Sequence, residues 1–154
     1  MVEHLPLGRL LTLALRLLVD EMHQRLQAAG YGDLRPAHGY VLNAAAAEGG
    51  VTASALAGML GMTKQGAAKV ITELVEAGYI VRGADDADAR ARPATLTSRG
   101  HAALGAAAEI QRQLEAEWAA LVTARDMTGL RRTLERALHA TSGDADLPPL
   151  RPVW

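Results

Sequence analysis

A segment near the middle of the chain carries side chains that can hydrogen-bond to base edges or bind a polyanion. Its members are Thr63, Lys64, Gln65, Ala68, Lys69 and Thr72. On a helix the last four share one face, and the first two lie at the helix start, where unpaired N–H groups favour a phosphate. Small residues let such a face enter a major groove, where amide and ammonium groups reach bases and phosphates. The segment therefore predicts contact with duplex DNA; the alternative is an ordinary solvated helix face.

Two helices joined by a glycine turn are needed to present this face. Thr52 is suited to cap the first helix, which Gly61 ends, and Thr63 is suited to cap the second. The apolar side of the second helix comprises Ala67, Val70, Ile71, Leu74 and Val75. When that side packs against the first helix, Gln65 and Lys69 project outward. The pattern is a helix-turn-helix, and Thr52 joins the candidate DNA-binding residues.

A polar hairpin follows this pair of helices. Two strand-like runs flank a charged tip, and Pro93 makes the second strand an edge strand or delays its start. In the tip, Arg90 is suited to enter the narrow minor groove, and Asp88 to hold its guanidinium. Arg92 is the third candidate DNA contact of this wing. The alternative is a charged, soluble turn, and the three aspartates of the tip argue against a simple basic wing.

Residues 52–100 resemble the MarR family of winged-helix regulators. The residues that carry the resemblance are Leu56-Ala57, Leu60-Gly61, Thr63-Lys64-Gln65, Leu74, residues 76–80 and 85–90, Leu96-Thr97 and Gly100. Their order and spacing match throughout, although a proline in the second strand and a glycine in the recognition segment depart from the family pattern. The resemblance implies that Lys64, Gln65 and Lys69 lie on a recognition helix and that Arg90 is the wing arginine. It also implies an α-helical dimer.

Long amphipathic segments flank the helix-turn-helix. Apolar periodicity predicts a helix over 7–29, a second from Pro36, a long helix from Ser98 and a last helix capped by Asp126. The predicted fold class is mainly α: a winged helix-turn-helix with long terminal helices and a small β-hairpin.

The terminal helices carry more apolar residues than one small subunit can cover. We therefore assign 1–34 and 98–154 to a dimerisation region and 35–97 to the DNA-binding region, within one intertwined domain. A two-fold homodimer reads a palindromic operator. The proline-rich tail, 147–154, is expected to dock on the dimer seam, with disorder as the alternative.

Composition and motifs exclude several function classes. The net charge of −1 over 154 residues means that DNA must be met by a local patch. No cysteine is present, which excludes disulfides and thiol chemistry. The five histidines lack a metal-binding spacing, no serine lies in a nucleophile elbow, and Asp85, Asp86 and Asp88 lack the other residues of an EF-hand loop. We expect no enzyme, no metal site and no cofactor.

The most apolar run, residues 10–19, is too short to span a membrane and contains Arg16. It also lacks the flanks of a signal peptide, so we expect a cytoplasmic protein without a membrane partner.

The resemblance further implies release from DNA by a small aromatic effector. Arg16, His38 and Tyr40 are polar residues that could border a cleft between the two regions, and ordinary packing is the alternative for all three. Ligand residues stay unassigned. A dimer on a promoter usually represses, with activation left open. The rival function class is a helical homodimeric protein-interaction module that does not bind DNA.

Overall fold

A computed structural model describes residues 4–47, 49–83 and 93–142. The elements are α1 (Leu7–Leu26), α2 (Pro36–Ala46), α3 (Ala53–Leu60), α4 (Lys64–Glu76), β1 (Ile80–Arg82), β2 (Ala94–Leu96), α5 (Ser98–Leu121) and α6 (Ala124–Ser142). The two strands pair antiparallel, with Ile80 opposite Leu96. The predicted mainly α fold with a small hairpin is confirmed. In these three ranges, no helix combines the length and apolarity that crossing a bilayer requires.

The first helix is exposed along most of its apolar surface. It ends at Leu26, three residues earlier than predicted, and Gln27–Tyr31 forms a wider π-type turn. Gly30 has φ 91° in that turn, a conformation that glycine adopts without steric cost. A small core of Leu26, Ile110 and Leu114 joins α1 to α5. The leucines of α1 that stay exposed are Leu7, Leu10, Leu11, Leu13, Leu15 and Leu17.

The main core lies between α2, the α3–α4 pair, the hairpin and the start of α5. Its most deeply buried large side chains are Val41, Leu56, Leu74, Tyr79 and Ile80. Val51, ahead of α3, exchanges two backbone hydrogen bonds with Ala94, of 2.9 and 2.8 Å, which anchors the hairpin to the helix-turn-helix. The strand β2 begins one residue after Pro93, because proline has no N–H to donate to the ladder.

The last helix packs against α5 and buries none of its residues. The prediction that Asp126 caps this helix is wrong. The hydroxyl of Thr123 accepts the backbone N–H of Asp126 at 3.0 Å, and the Asp126 carboxylate accepts the Thr123 hydroxyl at 2.6 Å. Thr123 precedes the first helical residue and therefore holds the cap position, while Asp126 lies in the first turn, where its charge offsets the helix dipole. The tail, 147–154, lies outside the described residues.

Candidate nucleic-acid interface

Two capped helices and a glycine turn build the helix-turn-helix as predicted. The hydroxyl oxygen of Thr52 accepts the N–H of Ala55 at 3.2 Å, and that of Thr63 accepts the N–H of Gly66 at 3.0 Å. Gly61 ends α3 in the left-handed region, with φ 59°. Each cap satisfies one unpaired N–H at a helix start. Both threonines therefore have a structural role before any contact with DNA.

The outward face of α4 is polar and basic. Lys64, Gln65 and Lys69 are exposed. The buried residues on the opposite side of the helix are Ala67, Ile71 and Leu74. Val70, predicted to face inward, is half-buried and packs against the core. Because the apolar side is fixed in the core, the amide and ammonium groups project where a major groove would lie.

Of the residues predicted for this face, Ala68 lies at its margin, and the hydroxyl of Thr72 is engaged within the protein. Ala68 is half-buried and packs against the core, so it lies at the margin of the face. Thr72 is exposed, but its hydroxyl donates to the carbonyl of Ala68 at 2.9 Å and accepts from Arg82 at 2.8 Å. The hydroxyl proton of Thr72 is therefore already engaged within the protein.

Arg82 is a basic residue that our sequence analysis missed. It ends β1, its side chain is exposed, and its hydrogen bond to Thr72 holds the guanidinium beside the outward face of α4. Lys69 lies three residues before Thr72, which is one turn away on the same helix surface. A signal was present in the sequence, since Arg82 stands where a strand leads into a charged hairpin tip.

An acidic side chain of α4 is neutralised away from this face. Glu73 pairs with Arg35, at the start of α2, and its carboxylate lies 3.9 Å from Nε2 of His38. His38 is buried, and Nδ1 of its ring accepts the backbone N–H of Arg35 at 3.2 Å. Burial, followed by the nearby charge of Arg35, holds the pKa of His38 below its ordinary value. The exposed charges on or beside the outward side of α4 are therefore those of Lys64, Lys69 and Arg82, with the carboxylate of Glu76 in the last turn.

The tip of the wing, with Asp88, Arg90 and Arg92, lies outside the described residues. The predicted DNA contacts of these three residues stay predictions. Within the described ranges, no group of three His, Asp or Glu side chains is placed to hold a metal ion.

The three residues considered for an effector cleft lie in different surroundings. His38 is buried, Tyr40 packs half-buried against the same core, and Arg16 is exposed on α1. The structure thus gives His38 and Tyr40 packing roles in the core that surrounds the helix-turn-helix.

Comparisons with known proteins identify relatives of this arrangement. Residues 33–91 match the family model described as MarR family. The MarR family protein Rv2887 of Mycobacterium tuberculosis, solved with p-aminosalicylic acid, is 30% identical over 86% of this chain and 98% of that chain, with a TM-score of 0.64. The same protein solved with DNA is 28% identical over 86% and 98% of the two chains, with a TM-score of 0.68.

The fold alone is shared with the reduced form of MarR from Escherichia coli. That protein is 23% identical over 88% of this chain and 98% of that chain, with a TM-score of 0.74. Among curated proteins, none matches.

A helix-turn-helix with an adjoining hairpin and long terminal helices defines the winged helix-turn-helix class of DNA-binding transcriptional regulators. The chain belongs to the MarR family of these regulators, as the residues of the 52–100 segment predicted.

Proposed function

We propose that the protein is a repressor that binds a palindromic duplex operator as a homodimer and is released by a small aromatic effector. The observation that carries this proposal is that one chain presents two separate surfaces. One is the exposed basic face of α4, and the other is the uncovered apolar surface of α1 and α6.

Local charge supports the DNA-binding part. The whole chain has a net charge of −1, yet Lys64, Lys69 and Arg82 stand exposed on or beside the recognition helix. Of the two carboxylates of that helix, Glu73 is paired with Arg35 and Glu76 is exposed in the last turn, so cations outnumber free carboxylates on this side. Phosphates are attracted by such a local patch, whatever the net charge of the chain. The relative solved with DNA agrees with this use of the fold.

Exposed leucines support the homodimer. Leu7 is 67%, Leu17 is 65% and Leu121 is 82% exposed in the single chain. Burying one leucine contributes about 1.5–3 kcal/mol, so a partner that covers this surface gains substantial free energy. A second copy presents the same apolar surface, and a two-fold axis brings the two copies of that surface into contact with each other. Regions 1–34 and 98–154 are accordingly proposed as the dimerisation region.

The corner between α5 and α6 forms a cavity that could accommodate apolar side chains of a second subunit. A cavity of about 390 Å³ opens there. Its lining is largely apolar and comprises Trp118, Leu121, Val122, Asp126, Met127 and Leu130. We propose that leucines of the partner subunit's first helix fill it.

The effector is proposed to be a small aromatic carboxylic acid. The support is the M. tuberculosis relative, which was solved with p-aminosalicylic acid. Addition of such an acid to a preformed protein–DNA complex should release the duplex. The matched control is a non-aromatic ring acid of similar size, which should release less.

The first experiment is selection of bound sites from a random duplex pool at a fixed salt concentration. We expect a palindrome with half-sites about one helical turn apart and A·T-rich flanks where the wings lie. Lys69→Ala should weaken binding to the selected site, whereas Arg112→Ala, at an exposed position of α5, should not. Failure to retain any duplex at low ionic strength would overturn the proposal in favour of a protein-interaction module.

A further inference from the structure

Tyr79 stands where the recognition helix ends and the hairpin begins. Its N–H donates to the carbonyl of Leu74 in the last turn of α4, at 2.9 Å, and its own carbonyl accepts the N–H of Thr97, at 3.0 Å. Thr97 is the cap of α5, and its hydroxyl accepts the N–H of Gly100. A Cβ added to Gly100 would overlap the backbone carbonyl oxygen of Tyr79, so the first turn of α5 is in close contact with the Tyr79 backbone. Tyr79 therefore joins α4 to α5 through main-chain contacts.

The side chain of Tyr79 joins the same point to a third element. Its ring is fully buried, and its hydroxyl donates to Asp33, in the loop after α1, at 2.5 Å. The same hydroxyl accepts from Arg99 of α5 at 3.0 Å, and Arg99 also donates to Asp33 at 3.2 Å. The Arg99 guanidinium carbon lies 4.4 Å from the ring centroid, within the range of a cation–π contact. The three side chains form a closed cluster, which we call the Asp33–Tyr79–Arg99 cluster.

The elements held by this cluster are themselves tied together further along. Arg25 of α1 makes two hydrogen bonds of 2.8 Å to Glu117 of α5. Leu26 packs with Ile110 and Leu114 in the small core between the same helices. The α1–α5 pair therefore forms one layer. The cluster is the point where this layer contacts the segment that directly follows the recognition helix.

We propose that the Asp33–Tyr79–Arg99 cluster is a positioning site that fixes the orientation of α4 relative to the α1–α5 layer and thereby sets the half-site spacing that the dimer accepts. This inference rests on the proposed function, because the layer carries the surface through which two copies associate. When the α1–α5 layers of two subunits are joined in the dimer, the angle between α4 and the layer in each subunit determines the separation and relative rotation of the two recognition helices.

Duplex geometry makes spacing a sensitive measure of that angle. One added base pair moves a half-site by about 3.4 Å and turns it by about 35° around the duplex. A dimer in which α4 is held rigidly against the α1–α5 layer cannot adjust to such a change without losing contacts at one half-site. If α4 can reorient, the dimer can bind both spacings. A defect in the cluster should therefore reduce the discrimination between spacings.

The test uses the full-length protein and a set of duplexes that share the selected half-sites and differ by one or two base pairs in their spacer. Tyr79→Phe removes the hydroxyl and keeps the ring, and Asp33→Asn removes the charge at a half-exposed position and keeps a side chain of nearly the same size. The control, Arg112→Gln, breaks an ion pair that lies within α5 and joins no second element. We expect both cluster variants to lose about tenfold of the preference for the best spacing, and the control to keep it.

A second readout needs no DNA. The chain contains no cysteine, so Glu76→Cys, at the exposed end of α4, provides one spin label in each subunit. The distance between the two labels should be narrowly distributed in the parent protein and broader in the Tyr79→Phe and Asp33→Asn backgrounds. Unchanged spacing preference with an unchanged distance distribution would overturn the inference, as would a uniform loss of affinity across all spacers. A parent protein that forms the labelled dimer but retains no duplex would instead overturn the proposed function.

Discussion

The guanidinium of Arg82 donates to the hydroxyl of Thr72 across 2.8 Å and so joins the hairpin to the outward surface of the recognition helix. The bond places a cation where helix and wing meet, one turn along the helix from Lys69. A cation in that position is suited to bind a phosphate, because it lies beside the residues proposed to face the groove and not among them.

Arg82→Ala should weaken binding to every duplex by a similar factor and should reduce the slope of log affinity against log salt by about one, as expected for one lost phosphate contact. Thr72→Val keeps the cation, so its salt dependence should stay that of the parent protein. Titrations at several salt concentrations measure both slopes. A parental slope for Arg82→Ala would show that Arg82 makes no phosphate contact.

Gln65→Ala should act differently from Arg82→Ala. Its amide is exposed near the start of α4 and can bond to a base edge, so its loss should relax preference at one position in each half-site. The expected cost at the preferred base is about 1–3 kcal/mol, with little change at other bases. Repeating the site selection with the variant provides the measurement. An unchanged base preference would contradict a direct contact with bases.

Arg90→Ala tests the wing in the same assay. The residue lies outside the described part of the chain, and its assignment to the minor groove depends on the sequence and the family resemblance. We expect a loss of about 1–3 kcal/mol, concentrated on sites with A·T-rich flanks, where the minor groove is narrow. An equal loss of affinity on sites with A·T-rich and G·C-rich flanks would indicate that Arg90 contacts a phosphate instead.

Local chemistry is what made much of this fold predictable. Thr52, Thr63 and Gly61 are recognisable because caps and glycine turns depend on residues within four positions of one another. The outward face of α4 follows from helical periodicity in the same way. Where two residues compete for one local role, sequence is less decisive: Thr123 and Asp126 both suit a cap, and the structure places the helix start one residue after Thr123.

Long-range contacts account for what sequence reasoning missed. The Asp33–Tyr79 bond joins residues 46 positions apart, and the Arg99–Asp33 bond joins residues 66 positions apart. No periodic pattern specifies such partners, because they meet only after the helices pack. The same reason explains why the position of Arg82 beside the outward face was missed and why Ala68 was predicted to lie on that face.

Leu121→Lys should disrupt the proposed homodimer. Leu121 is 82% exposed in the single chain and lines the cavity between α5 and α6, so a charge there would be buried without a partner on association. Sedimentation at micromolar concentration should show monomers for this variant and dimers for the parent protein. Gln113→Lys, an exposed polar position on the same helix, is the control. A Leu121→Lys protein that sediments as a dimer would place the seam elsewhere.

His38 should make the stability of the protein depend on pH. The buried imidazole faces Arg35, Glu73 and Asp33, and its lowered pKa arises from burial and then from the charge of Arg35. The backbone N–H of Arg35 donates to Nδ1 of the neutral ring at 3.2 Å, and a protonated ring cannot accept it. In the unfolded chain the ring takes up a proton at about pH 6.5. The folded protein resists that proton, so the free energy of unfolding falls as the pH drops below that value towards the folded pKa. The fall is at most about 1.4 kcal/mol per pH unit.

His38→Gln removes this titratable group and keeps a side-chain oxygen able to accept the backbone N–H of Arg35. Its free energy of unfolding should therefore change less than that of the parent protein between pH 7 and pH 5. The two curves should approach each other as the pH falls, because only the parent protein must exclude a proton from its core. Denaturant titrations at a series of pH values provide the curves, and His101→Gln reports the effect of the same substitution at an exposed site. Parallel curves for His38→Gln and the parent protein would show that His38 is not responsible.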